Sequence, residues 1–340
     1  MRPTIKDVAN RAGVGLSTVS RVINLSHPVS EEARLKVERA IRELNYSPNA
    51  VARSLKSQKT MLIGVVVADI SNPFYMQVIK GIEGVTKKRG YHIIISSSEE
   101  DPERERKTVG HFLDRQVDGM IVATCQADGA EFHKVKKSGT PLVLVDRHVP
   151  GAHFDAVLED NVSNAYDITR YLIEEGHERI CVVNGNTDVS TAFERYQGFL
   201  LAFAESGLRV DDRLILDGSN GRAEAAVRRL LGALKREEWP TAMFATNNSR
   251  CEAVVKVFLE MNVKVPQDIS LISYGNIHNP WMYPVKLTHV RQDVYRLGRK
   301  TAELLLEKLT NMNGLHTSEH VINSSIVHGD SVQKLKQGGS

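Results

Sequence analysis

The sequence predicts an α/β protein in which two doubly wound parallel-sheet subdomains follow a small all-α head. Three observations lead there. From residue 61 onward, short Val/Ile/Leu-rich runs alternate with stretches of helical periodicity, as in buried parallel strands joined by helices. LIGVVVAD near residue 62 and RICVVNGN near residue 179 open two similar series, so the body has two halves. The first sixty residues carry three amphipathic helical stripes instead.

At 340 residues the chain suits two or three compact units. It is 41% hydrophobic and 25% charged, ordinary values for a globular protein, and no run of eighteen apolar residues suggests a membrane span. The N-terminus lacks the apolar core of a signal peptide, so a cytoplasmic protein is expected. Cys125, Cys181 and Cys251 are far apart and odd in number, which reads as buried thiols in a reducing compartment. The net charge of +3 is uneven. Residues 1–59 hold eleven Lys or Arg against five Asp or Glu, leaving 33 against 36 for the remainder. A basic head on a slightly acidic body points to a segment that meets a polyanion.

In the head, Thr4 and Asp7 have capping-box spacing ahead of the stripe Ile5, Val8, Ala9, Ala12. Gly13 ends that helix. A second, 16–24, buries Val19 with Val22 or Ile23 and leaves Leu16, Ser17, Ser20 and Arg21 outside. Ser30 opens a third, with Glu31 and Glu32 favoured by its dipole and Val37, Ala40, Ile41 and Leu44 inward. Two short helices joined by a glycine-containing turn and closed by a third describe a helix-turn-helix, whose second helix enters the major groove of DNA.

The strands of the body follow in order: LIGVVV, HIIISS, GMIVAT and PLVLVD, then RICVVN, RLILD, TAMFAT and ISLISY. In doubly wound sheets ligands bind beyond the carboxyl ends of strands, where the loops carry Asn72, Phe74, Tyr75, Asp146, Arg147, Asn247, Arg250, Tyr274 and Asn276. Phe193 and Arg195 lie on the helix after Asn186, and Gln292 closes the set. Each has a plainer reading as well: Asn72–Pro73 is also a turn, and Arg147 also suits a salt bridge. No nucleotide-loop, metalloprotease or hydrolase motif is present, the twelve histidines are scattered, and neither cofactor nor metal is expected. An α/β enzyme acting on sugars is the distant alternative.

TIKDVANRAGV, STVSRVIN, VSEEARLKVERAIRELNYSPNAVARSL and IGVVVADISNPFY resemble bacterial transcription regulators of the lactose-repressor (LacI) type, with an effector domain similar to periplasmic sugar-binding proteins. The resemblance implies a helix-turn-helix domain at 1–46, a hinge at 47–60 and an effector-binding and dimerisation domain at 61–335. Within the last, one subdomain takes about 61–160 plus 291–320, the other about 161–290 plus 321–335. Leu16 and Ser17 would read bases and Arg21 a guanine, while Thr4, Ser20, Asn24 and Ser30 would meet phosphates. Asn49, Ala52 and Leu55 match the family's hinge, whose leucine wedges into the minor groove. The protein would be a repressor of carbohydrate genes that binds a near-palindromic operator as a dimer. It would answer to an effector in the cleft.

In the head, Gly15 stands where the family often has a serine capping the second helix, a small change. Two departures in the body bear on the effector. Gly275 stands where the family often has a sugar-binding aspartate, and Asn247–Asn248 where ND is usual. Arg147, Arg195 and Arg250 would then outweigh the carboxylates, with His148 and His278 near the rim, which favours a sugar acid or sugar phosphate. A partner protein docking on the basic segment 80–90 is the other mode of control. The tail 331–340 reads as a frayed terminus.

Overall fold

The computed structural model describes residues 3–24, 27–46, 59–283, 285–310 and 317–335, and divides the chain into two compact units that meet at residue 60. The hinge candidates Asn49, Ala52 and Leu55 lie outside the described residues.

The head is α1 (Ile5–Ala12), α2 (Leu16–Asn24) and α3 (Glu31–Glu43). Thr4 caps α1 in a full capping box: its backbone N–H donates to the Asp7 carboxylate at 2.7 Å, and its hydroxyl oxygen accepts from the Asp7 N–H at 3.4 Å. Gly13 ends α1 at φ 66°, a left-handed position where a side chain would be strained. Ser30 caps α3 through the Ala33 N–H. Val8, Ala9, Ala12, Val19, Val37 and Ala40 form the buried centre, and Arg11 bridges α1 to Glu43 of α3 at 2.6 Å.

The body contains two six-stranded sheets. In chain order its elements begin β1 (Leu62–Val67), α4 (Pro73–Thr86), β2 (His92–Ser97), α5 (Pro102–Asp114), β3 (Gly119–Val122), α6 (Ala130–Ser138), β4 (Leu142–Val145) and β5 (Asp155–Glu159). The second half runs α7 (Asn161–Glu174), β6 (Ile180–Asn184), α8 (Ser190–Glu205), β7 (Ile215–Asp217), α9 (Ala223–Ala233), β8 (Ala242–Ala245), α10 (Asn248–Glu260), β9 (Ser270–Tyr274) and β10 (Thr288–Arg291). It closes with α11 (Val294–Thr310), β11 (Glu319–Ile322) and β12 (Ser325–Val327).

Strand order is β11-β5-β4-β3-β1-β2 in the first sheet and β12-β10-β9-β8-β6-β7 in the second. Every pairing is parallel except that of β12 with β10. Central strands are buried on both faces, which is why they read as unbroken apolar runs. Strands β5, β10, β11 and β12 carry no such run and were not foreseen. RLILD contributes only three strand residues, after a 3₁₀ turn at Asp212–Leu214.

Three crossovers join the subdomains: after Glu159, after Arg291 and between Ile322 and Ser325. The last falls slightly later than the sequence suggested, because β11 pairs with β5 through Ile322. One carboxylate touches all three. Glu159 accepts from Gln292 Nε2 and, at 2.9 Å, from Ser324 Oγ. Burial pushes its pKa up to about 7.

Residues 331–335 are not frayed. Ser331 is fully buried and its hydroxyl accepts from the Thr288 N–H at 2.8 Å, while Leu335 N–H donates to Glu175 at 2.8 Å. All three cysteines are free and buried, and burial raises each thiol pKa, that of Cys251 to about 12.

Candidate functional site

On the head, α2 presents Leu16, Ser17 and Arg21 outward, with Leu16 44% exposed, while Val19 is fully buried. Ser17 and Arg21 are four apart and therefore share a face. Ser20 is half-buried beside them, and Asn24 is the last residue of the helix. Thr4 and Ser30 are exposed, with hydroxyls engaged in caps. Side chains at the start of α2 are thus free to face a partner while the valine anchors the helix to the core.

Between the subdomains of the body lies a cavity of about 810 Å³. Ten of the twelve expected cleft residues border it: Asn72, Phe74, Tyr75, Asp146, Arg147, Arg195, Asn247, Arg250, Tyr274 and Gln292. The other two do not. Phe193 is 45% exposed on α8, because residues two apart on a helix point about 200° apart and Arg195 takes the cavity side. Asn276 instead clamps the Gln292 backbone, donating to its carbonyl at 3.0 Å and accepting from its N–H at 2.9 Å.

On the first wall, Asp146 adopts φ 67°, a left-handed conformation that is uncommon for a non-glycine residue. Its carboxylate accepts from the Tyr75 hydroxyl at 3.2 Å, and burial raises the pKa of both groups. Arg147 pairs with Glu100 at 2.6 Å. On the second wall, Arg195 donates to Asn161 at 2.9 Å and to the Thr246 carbonyl at 2.8 Å, and its guanidinium covers the Tyr274 ring at 3.8 Å. Asn247 caps α10, accepting from the Arg250 N–H at 2.8 Å. Gly275, at φ 104°, places no side chain in the site and lies against Gln292.

Among the described residues, several contacts span the walls, and in one of them the His148 backbone N–H donates to the Ser190 hydroxyl oxygen at 3.1 Å. Asn248 donates to Asn72 at 3.1 Å. His148 Nε2 meets Glu194 at 2.6 Å, and that hydrogen bond raises the histidine pKa. Asn161 links Glu194 to Arg195, so this bridge is wired to the cavity floor. Glu100, Asn161, Glu159 and Glu194 were not foreseen, since isolated acids and amides next to helix starts read as caps or solvated charge. His148 sits in the bridge, and His278 does not border the cavity.

The expected surplus of guanidinium over carboxylate is not what surrounds the cavity. Asp69, Glu99, Glu100, Asp146, Asp188 and Glu224 border it against three arginines. Most of these acids already have partners: Asp69 with Ser71, Glu99 with Arg104, Glu100 with Arg147, Asp146 with Tyr75 and Glu224 with Lys256.

A small helix-turn-helix head followed by a two-walled α/β body with a polar cleft is the architecture of a DNA-binding regulator. Residues 4–49 match the bacterial regulatory proteins of the lacI family, and residues 60–331 match the periplasmic binding proteins and sugar-binding domain of that family. The chain belongs to the LacI family and is a DNA-binding transcriptional repressor, not an enzyme. It is 35% identical to the HTH-type transcriptional repressor PurR of Photobacterium profundum, over 91% of this chain and 93% of that one. Identity is 34% to PurR of Haemophilus influenzae, over 91% of each. Among solved structures it is similar to a transcriptional regulator CelR–cellobiose complex, with 29% identity, TM-score 0.72, and coverage of 97% of this chain and 100% of that one. The lac repressor dimer bound to operator has the same fold, with TM-score 0.85, 24% identity, and coverage of 98% and 100%.

Proposed function

We propose that this repressor binds a near-palindromic operator as a dimer and governs carbohydrate genes in the cytoplasm. A small oxygen-rich effector in the cleft, a sugar acid or sugar phosphate, controls its operator affinity. The observation that carries the reading is the cavity itself, walled by both subdomains and spanned by Asn72–Asn248 and His148–Glu194. A ligand held by both walls sets the angle between them, and the family's hinge would pass that angle to the head.

A purine effector is the second reading, favoured by the PurR relatives. Against it, the aromatic residues bordering the cavity, Phe74, Tyr75 and Tyr274, are at most 8% exposed, and Arg195 covers the Tyr274 ring. These rings leave little open face for a planar base to stack on. Hydroxyl-bearing ligands suit the hydrogen-bonding groups better.

A thermal-shift panel of neutral sugars, sugar acids, sugar phosphates and purine bases tests this. A true effector at about 100 times its Kd stabilises the fold by roughly 2.7 kcal/mol. Acids or phosphates are expected to shift the transition, and a response to purine bases alone would replace this reading with the second. For the head, Arg21→Ala is expected to weaken operator binding by about 1–3 kcal/mol, the weight of one bidentate guanine contact. Wild-type affinity should fall steeply with salt, at about −0.9 in log–log slope per phosphate neutralised. Fluorescence anisotropy on operator DNA reads both, and an affinity indifferent to Arg21 would remove α2 as the reading helix.

A further inference from the structure

The three guanidinia around the cavity are not equivalent. Arg147 is neutralised by Glu100, and Arg195 is held by an amide, a carbonyl and a ring face. Arg250 has no such partner. Its Nε, like that of Arg147, is buried without a hydrogen bond, and among the described residues no carboxylate pairs with its guanidinium, which feels Glu100 and Asp217 only from a distance. Asp217, the acid it senses on its own subdomain, is taken by Arg222 at 2.9 Å and by Ser219. Burial, with Arg195 nearby, pushes the Arg250 pKa down to about 10. A half-buried cation with no paired carboxylate is unfavourable, and a fold that keeps one at the edge of a cavity holds it ready for an anion from outside.

The surroundings fit that role. Arg250 lies against Gly185, where any side chain would overlap the guanidinium, so this glycine makes its room. The 218–221 turn borders the same cavity, and α9 begins beside it with no side-chain cap. Its N-terminal end adds a positive potential there, and the acid in its first turn, Glu224, is paired with Lys256. Across the cavity, Asn72 and the Asp146–Tyr75 pair offer the hydroxyl-binding end.

We propose that Arg250 receives the anionic group of the effector, a carboxylate or phosphate at one end of a polyhydroxylated ligand, and thereby selects charged over neutral sugars. This rests on the anionic-effector reading above, and the test separates the two.

Calorimetric titration of the full chain with glucose, gluconate and glucose 6-phosphate should show wild type preferring at least one anion over glucose. Arg250→Met should lose roughly ten- to hundredfold of that preference, read as the ratio of anion to glucose affinity, the weight of one charge-assisted pair. Its ligand-free Tm should not fall, since removing an unpaired, half-buried charge relieves a desolvation cost. Gly185→Ala, which keeps the charge but displaces it, should lose the same preference. An Arg250→Met protein that keeps full anion preference, or one that loses Tm and all three ligands together, overturns the assignment while the anionic effector stands. Wild type that binds glucose alone, or none of the three, overturns the anionic-effector reading and this assignment with it.

Discussion

Gly298→Ala will destabilise the body by about 3 kcal/mol, at the upper end of what overpacking costs. The reason is the α4–α11 contact. A Cβ on Gly298 would overlap the Val78 carbonyl and lie 2.9 Å from its carbon, and Val78 is itself fully buried. The contact is reciprocal: a Cβ on Gly81 would overlap Tyr295 O and stand 2.9 Å from Arg299 N. Both obstacles are backbone, so neither can swing aside as a side-chain tip would, and the helices would have to part. That would open the core among Val78, Ile82, Leu297 and Leu304. Thermal unfolding should show Tm lower by roughly 5–10 °C. A loss under two degrees would mean that the helices slide freely, and the close approach would then have no structural weight.

Glu159→Gln will flatten the pH dependence of stability between about 4.5 and 7. The folded-state carboxyl titrates near 7 and the unfolded one near 4.5, so in that interval the folded state holds a proton the unfolded chain has released. Stability therefore falls as pH rises through the window, by about 3 kcal/mol in all. Glutamine cannot ionise, and it keeps both contacts in another form: its one amide oxygen accepts from Gln292 while its NH2 donates to the Ser324 hydroxyl oxygen. The variant should match wild type near pH 4.5 and exceed it at pH 8. Urea denaturation at a series of pH values checks this, and parallel curves would show that another buried acid, such as Asp146 or Glu105, sets the slope.

The architecture was legible where periodicity is strong. The head was readable because its caps are local: Thr4 with Asp7, Gly13 and Ser30 act within four residues of themselves. The central strands were readable because burial on both faces leaves an apolar run. Strands β11 and β12 were not, since EHVI and SIV are short edge pieces whose partners lie far away in sequence. In the cleft, loop position revealed which residues gather but not which are already paired. Nothing in SSEEDPE marks Glu100 as the partner of Arg147, and nothing in TNNSR marks Arg250 as the arginine left over. Phe193 was misplaced for a simpler reason, the 200° between alternate helix positions.

The triple junction at Glu159 has a mechanical consequence. A single connecting strand would let one lobe swing, twist or slide against the other. Three parallel connections tied at one carboxyl resist sliding and leave bending about a line through the tie as the soft motion. A body joined this way would work as a pivoted lever, in which a turn of about 10° at the joint moves a point about 30 Å away by roughly 5 Å.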